Sequence, residues 1–243
     1  MVPLLKADGL TRRFDGLAIL NGVSLEVAEG QCIGLVGENG CGKTSLLNVL
    51  SGVDRPDRGQ IQYAPENGQM ADITRWPAWR RARAGLLHYF QSPHIWRNLT
   101  VAEHVLAAAT GCMLEGSVLG AARWSLSSSL RRSTRAKCEK LLDFVGLRGR
   151  ANAKACELSF GQMKLVGLAR LLAAPVRRML LLDEPTAGIA PEVVVRMIEF
   201  LRKVRASGVG MLVVEHDREM LSGLADAVLE LRQGRVVGFG EVA

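Results

Sequence analysis

The run Gly37-Glu38-Asn39-Gly40-Cys41-Gly42-Lys43-Thr44 carries the pattern G-x-x-x-x-G-K-[ST]. It follows the apolar stretch Cys32-Ile33-Gly34-Leu35-Val36 and leads into Ser45-Leu46-Leu47-Asn48-Val49-Leu50. Strand, glycine loop and helix in that order make a phosphate-wrapping device. The glycines let backbone N–H groups converge on the anion, Lys43 reaches the β/γ oxygens, and the Thr44 hydroxyl ligates Mg²⁺. The helix N-terminus adds partial positive charge at the same place. The candidate nucleotide-binding residues are therefore Gly37, Asn39, Gly40, Cys41, Gly42, Lys43, Thr44 and Ser45. The plainer alternative is a glycine-rich turn with an incidental lysine, which the strand–loop–helix context disfavours.

A second group with chemistry in it is Met179-Leu180-Leu181-Leu182-Asp183-Glu184, an apolar run ending in two carboxylates. Asp183 is the expected second contact for Mg²⁺. Glu184 then stands where it can orient or deprotonate an attacking water. Alone, such a run is weak evidence. It gains force from the phosphate loop about 140 residues earlier.

The elements that must position these groups follow from hydrophobic pattern and turn chemistry. Residues 4–36 alternate apolar runs with Asp15-Gly16, Asn21-Gly22 and Glu29-Gly30, which predicts an antiparallel β portion with turns at those pairs. Ile61-Gln62-Tyr63 and Leu86 to Phe90 read as strands, the second ending at Gln91. From Ser92 to Glu157 the chain reads as helices and loops. Thr100-Val101-Ala102-Glu103 is a capping box opening a helix from Val101 to Ala109. A further amphipathic helix is predicted from Thr134 to Phe144, closed by Gly146. Alternation of strand and helix resumes after Leu158. The expected elements are a helix after Ser159, strand Met179–Asp183, helix Pro191–Arg205, strand Gly210–Val214, a short helix near Glu219, and strand Ala227–Leu231. A hairpin turn at Arg232-Gln233-Gly234-Arg235 follows. Apolar strands separated by helices imply a parallel sheet covered on both faces.

Composition bounds the possibilities. The chain has 243 residues, 48% of them hydrophobic and 23% charged, which fits one sizeable soluble domain with room for a subdomain. No apolar run approaches the roughly 18 residues that a membrane span needs. The start, Met1 to Asp8, lacks the order of a secretion signal, so a cytosolic location is expected. Cys32, Cys41, Cys112, Cys138 and Cys156 are scattered without metal-ligand spacing and read as free thiols. Cys41 next to a helix N-terminus could be an activated thiol, or merely a small residue that the loop accepts. The net charge of +7 suits anionic partners without choosing among them. Between Gly116 and Cys138 the charges are all basic (Arg123, Arg131, Arg132, Arg135, Lys137). That is either a solvated helix or loop, or a face toward anionic lipid.

Leu158-Ser159-Phe160-Gly161-Gln162 completes the pattern. With the two nucleotide motifs, in that order and spacing, the chain resembles the ATPase subunits of ATP-binding cassette (ABC) proteins over nearly its whole length. The resemblance implies an α/β fold: a P-loop NTPase core of ABC type with an antiparallel β portion and an inserted helical subdomain. Residues 1–91 and 158–243 would form the core, and 92–157 the helical subdomain with the signature at its end. It implies ATP and Mg²⁺ as cofactors. It also places Phe14 as the aromatic stacking on adenine, Gln91 as the glutamine linking the metal to the helical subdomain, and His216 as the switch histidine on the γ-phosphate. Ser159, Gly161 and Gln162 would meet the ATP held by a partner subunit. On their residue types alone, Phe14 could be a core aromatic, Ser159 with Gln162 a capping box, and His216 and Gln91 ordinary surface residues.

Further implications concern partners. The chain would energise a membrane transporter, bound to the inner face of the cell membrane through integral permease subunits. It would pair with a second ATPase subunit, as a homodimer or heterodimer, and work with a substrate-binding protein. The aromatic Phe160 within the signature, the turn Ala187-Gly188-Ile189-Ala190-Pro191 and the run Val214-Glu215-His216-Asp217 are similar to importers of branched-chain amino acids or related amides. Export, including lipopolysaccharide transport, is the neighbouring alternative. A soluble ABC ATPase on nucleic acid or ribosomes is the rival of another class, and no nucleic acid is expected. Two departures from the family pattern matter: Phe160 replaces a residue of the usual Leu-Ser-Gly-Gly-Gln signature, and the other lies after Glu184. Ala190 occupies the position that the family gives to Asp or Asn, and an alanine N-cap before Pro191 costs about 1 kcal/mol.

Overall fold

The computed structural model describes residues 3–65, 68–92, 95–114, 128–216 and 218–241. They divide into two units: Met1–Gln91 with Val176–Thr186 and Val194–Ala243, and Ser92–Pro175 with Ala187–Val193.

In the first unit, strands β1 (Pro3–Phe14) and β2 (Leu17–Ala28) form a hairpin. Its Asp15-Gly16 turn has positive φ at both residues, 48° and 83°, the geometry that matches the right-handed twist of two paired strands. The expected turn at Asn21-Gly22 is a correction. Both residues lie inside β2, where Leu10 pairs with Val23 and the adjacent Thr11 with Asn21, so Gly22 is the extra residue of a bulge. Its φ of 73° shows why a turn-forming glycine stands there.

Strand β3 (Cys32–Val36) is buried throughout and leads to helix α1 (Lys43–Ser51). Strands β4 (Arg58–Tyr63) and β5 (Ala71–Asp72) complete an antiparallel sheet of order β2-β1-β4-β5. Helix α2 (Ala78–Arg83) and β6 (Leu86–Tyr89) follow. After the helical unit come β7 (Met179–Asp183), β8 (Gly210–Val214), β9 (Ala227–Arg232) and β10 (Arg235–Glu241). They join β3 and β6 in a second sheet, β10-β9-β3-β8-β7-β6, parallel except at β10. The completely apolar β3 and β8 are central in this sheet, and each is paired on both sides.

The second unit holds α3 (Val101–Leu114), α4 (Ser128–Phe144) and α5 (Phe160–Ala173). It is wider than the expected 92–157, because α5 packs against α3 and α4. Thr100 and Glu103 cap α3 reciprocally, at 2.7 and 3.2 Å. Helix α4 begins before the expected Thr134. Arg131, Arg132, Arg135 and Lys137 lie exposed along it, and Arg123 of the same basic stretch lies outside the described residues. The buried His104 accepts the Trp96 N–H at Nε2 (3.1 Å) and donates from Nδ1 to the Thr100 carbonyl (2.8 Å), an arrangement that needs a neutral ring. Burial pushes its pKa down, which keeps it neutral. Helix α6 (Pro191–Ala206) starts with residues of this unit and continues in the first, where α7 (Arg218–Ser222) also lies.

Among the described residues no helix is long and apolar enough to cross a membrane. Cys32, Cys41, Cys138 and Cys156 are free thiols; burial pushes the Cys32 thiol up to about 12.

One buried cation fixes the far end of α1. Arg81, with no exposed surface, donates to the carbonyls of Val49 (2.9 Å), Leu50 (2.7 Å), Trp76 (3.0 Å) and Thr74 (3.0 Å). Val49 and Leu50 belong to the last turn of α1, whose carbonyls lack the i+4 partner and carry partial negative charge; that of Val49 also accepts from the N–H of Gly52, the C-cap (3.3 Å). Gly52 permits this approach, since a Cβ there would stand 2.8 Å from Arg81 Nε. Arg81→Leu is expected to lower unfolding free energy by about 3 kcal/mol, because it strands buried carbonyls. Arg81→Lys should recover only part, as a compact ammonium cannot span four acceptors. Urea denaturation of the three proteins checks both.

Candidate nucleotide-binding and hydrolytic site

The loop between β3 and α1 is shaped by what lies behind it. A Cβ on Gly37 would stand 2.3 Å from the Leu231 carbonyl oxygen and 2.8 Å from Cys41 Sγ. One on Gly42 would stand 2.7 Å from the Ile19 carbonyl oxygen. Both glycines are therefore sites of close backbone approach, from the β9–β10 hairpin on one side and β2 on the other. The hairpin also grips the loop directly. Gly234 N–H donates to the Cys41 carbonyl (3.0 Å) and the Gly234 carbonyl accepts from Asn21 N–H (2.8 Å). From the sequence, Gln233-Gly234 is only a turn; nothing local in it signals this buttress.

The side that remains is fit for an anion. Gly42 is the N-cap of α1, with no side-chain cap and no acidic residue in the first turn. The early N–H groups of the helix thus have no carboxylate competing for them. Lys43 is 6% exposed and bridges the loop, donating from Nζ to the Gly37 (2.7 Å) and Glu38 (2.8 Å) carbonyls. An ammonium has three N–H donors, so one is left for a phosphate oxygen. The Cys41 thiol is buried under Gly37, and its N–H donates to the Glu38 carbonyl (3.3 Å); the residue packs inside the loop. Asn39, Gly40 and Thr44 are exposed, and Ser45 is half-buried. This cradle of donors fits a phosphate chain. The Thr44 hydroxyl and the Asp183 carboxylate at the end of β7 are hard oxygen donors of the kind that Mg²⁺ takes.

The hydrolytic candidates converge. Glu184 follows β7 with φ of +45°, a left-handed conformation costing about 1–3 kcal/mol in a residue other than glycine. Its N–H donates to the Val214 carbonyl at the end of β8 (3.0 Å). Its carboxylate is held from both sides, Oε2 accepting from Gln91 Nε2 (2.6 Å) and Oε1 facing His216 Nε2 (2.9 Å). An ionised carboxylate only accepts, so His216 carries its proton on Nε2 in this pair. Three residues from three separate stretches thus make one hydrogen-bonded set.

Phe14 is 62% exposed at the tip of the β1–β2 hairpin, opposite Leu17 at 73%. It is not a core aromatic. In the helical unit, Ser159 caps α5 as a capping box: its Oγ accepts from Gln162 N–H (3.3 Å) and its N–H donates to Gln162 Oε1 (3.0 Å). Gly161 allows the Gly188 carbonyl to approach, where a Cβ would stand 2.8 Å away. The buried Lys164 donates to the Ala187 carbonyl (2.7 Å), so the segment 187–190 is tied to α5. Ala190 is exposed, and its carbonyl accepts from Val193 N–H (2.9 Å) in the first turn of α6.

Known proteins resemble this chain over nearly its whole length. The family model described as "ABC transporter" matches residues 20–187. The chain is 35% identical over 240 residues to the lipopolysaccharide export system ATP-binding protein LptB of Acidithiobacillus ferridurans, covering 99% of this chain and 91% of that protein. It is 32% identical over 243 residues to the high-affinity branched-chain amino acid transport ATP-binding protein BraF of Pseudomonas aeruginosa, covering 98% and 91%. The crystal structure of a nucleotide-free ATP-binding cassette from an ABC transporter superposes with a TM-score of 0.78 at 29% identity, covering 98% and 91%.

The glycine geometry gives a graded test. Gly37→Ala is expected to weaken nucleotide binding by at least about tenfold, equivalent to about 1.4 kcal/mol, because the loop must shift to relieve the clash with Leu231. Gly40, with φ of +78° and open space at its Cβ position, should as alanine incur only the left-handed backbone cost of about 1–2 kcal/mol in fold stability and keep nucleotide affinity within about threefold. Titration with a fluorescent ATP analogue separates them; equal effects would show that the hairpin buttress does not shape the loop.

Proposed function

The chain belongs to the ABC transporter family, and from that premise we propose that it is the ATP-hydrolysing subunit of an importer for branched-chain amino acids or related small amides. It is an ATPase that powers transport. The observation that carries the hydrolytic reading is the Glu184 carboxylate held between Gln91 and His216. ATP would lie with its phosphates on the loop from Gly37 to Ser45, its adenine on Phe14. Lys43 and the first N–H groups of α1 neutralise phosphate charge without having to reorganise. Mg²⁺, held by Thr44 and Asp183 with Gln91 beside it, supplies charge neutralisation at the phosphate oxygens when bound. Glu184 orients and deprotonates water. His216 fixes the carboxylate and would meet the γ-phosphate.

Two such subunits would enclose two nucleotides, each Ser159, Gly161 and Gln162 group facing the phosphate loop of the other subunit. Integral permease subunits and a substrate-binding protein would supply selectivity, and the chain would sit on the cytoplasmic face of the membrane. The amino-acid reading is supported by the Leu158-Ser159-Phe160-Gly161-Gln162 signature and by the likeness to BraF. The likeness to LptB favours a second reading, export of lipopolysaccharide.

Glu184→Gln should retain ATP binding and lose turnover by about 10²–10⁴-fold. Near-normal hydrolysis by that variant would remove Glu184 from its role. The same variant, tagged and captured with Mg-ATP from detergent-solubilised native membranes, should bring down permease chains of an amino-acid importer. Recovery of export permeases would replace the importer reading, and recovery of ribosomes or nucleic acid without permeases would overturn the transporter assignment.

A further inference from the structure

Glu215 is 3% exposed and stands between Val214, the last residue of β8, and His216. Its Oε1 accepts two hydrogen bonds from one residue, Thr186 N–H at 2.9 Å and Thr186 Oγ1–H at 2.5 Å. Its own N–H donates to the Leu35 carbonyl of β3 (3.4 Å). Burying a carboxylate is costly unless its hydrogen bonds are strong, and bonds to an ionised acceptor are the strong kind.

What this carboxylate grips is the turn carrying Glu184. Thr186 lies two residues beyond Glu184, with the buried Pro185 between them. Glu184 has φ of +45° and is also the residue before a proline, two conditions that press its backbone to relax toward an extended conformation. Two features hold it. One is the Glu184 N–H bond to the Val214 carbonyl. The other is the Thr186–Glu215 clamp. Together they join the end of β7 to the end of β8 on both sides of Pro185, one step from His216.

We propose that Glu215 is a positioning residue for hydrolysis: by gripping Thr186 it holds Glu184 in the left-handed conformation that presents its carboxylate to Gln91 and His216. The inference rests on reading Glu184 as the hydrolytic carboxylate. Glu215 touches neither nucleotide nor water in this account; its effect passes entirely through the turn 184–186.

The test uses the purified full chain, with ATP turnover and fluorescent-nucleotide affinity measured for Glu215→Ala, Glu215→Gln, Thr186→Val, Glu184→Gln and the double variant of Glu184→Gln with Glu215→Ala. Misplacing a reacting group by a fraction of its length is expected to lower kcat by about 10–100-fold. Glu215→Ala and Thr186→Val should each show such a fall, with KM and nucleotide affinity within about twofold of the parent. Glu215→Gln keeps a carbonyl oxygen for Thr186 and should recover most of kcat. In single-turnover measurements the double variant should be no slower than Glu184→Gln, because a positioning residue has nothing left to position.

Normal kcat in both Glu215→Ala and Thr186→Val would overturn the inference. So would a parallel loss of nucleotide affinity, or a further loss in the double variant as large as that in the parent; each marks a general structural role. If Glu215→Ala does not fold, Thr186→Val, which removes one O–H donor and keeps the shape, decides alone. Near-normal turnover by Glu184→Gln would instead sink the reading of the site itself, whatever the clamp variants do.

Discussion

A loop that wraps an anion has to turn bare backbone N–H groups toward it while its other side is packed, and the loop between β3 and α1 has the packed side that this constraint asks for. Backbone can approach backbone that closely only where there is no Cβ. Gly37 faces the Leu231 carbonyl and Gly42 the Ile19 carbonyl. The loop therefore lies between the hairpin of β9 and β10 and strand β2, with Gly234 bonding to Cys41 and Asn21 on either side. Lys43 closes the arrangement from within by drawing the Gly37 and Glu38 carbonyls onto its ammonium. The cation thus occupies two acceptors of the loop.

At the other end of α1 the same logic runs with reversed sign. The last carbonyls of a helix attract a cation, and Arg81 supplies one that is completely buried. Helix α1 is held at its start by glycines that admit backbone and at its end by a guanidinium that collects four carbonyls. A short helix of 9 residues has little stability of its own. Its fixed position comes from these terminal contacts and from the buried face of Leu46, Leu47, Val49 and Leu50. Desolvation lowers the Arg81 pKa to about 10; that still leaves it charged at neutral pH.

The strands were the most legible part of the sequence, and physical reasons separate them from what was not. Met179–Asp183 and Gly210–Val214 are wholly apolar up to their ends, and the structure gives the same limits. The Thr100–Glu103 box and the Ser159–Gln162 box are local patterns whose geometry is fixed within a few residues. Asn21-Gly22 misled because a positive-φ glycine serves a bulge as well as a turn, and only pairing with β1 decides between them. The extent of the helical unit was not legible because α5 follows the signature in sequence but packs with α3 and α4. Glu184 could be named from its place after an apolar strand, and Gln91 and His216 from the family resemblance, but not their mutual bonding, which depends on three distant stretches meeting. Arg81 and Gly234 carry no local signal: their partners lie far off in the chain.

The alanine at position 190 is best understood from the elements around it. An Asp or Asn there would cap α6 through its side chain, and alanine cannot. Pro191 lessens the loss, because proline at the first helical position brings no N–H that needs a partner. The Ala190 carbonyl still accepts from Val193 N–H, so the first turn of α6 forms. The segment before it is fixed by other means within the helical unit. Lys164 holds the Ala187 carbonyl, and Gly161 admits the Gly188 carbonyl close to the start of α5. The Phe160 ring lies over Gly188, 3.7 Å from where a Cβ on that glycine would stand. The aromatic that departs from the usual signature thus covers the segment whose capping residue is missing. Two departures that look independent in the sequence touch the same stretch of backbone, so the anchoring of 187–190 in this chain depends on α5 more than on a cap to α6.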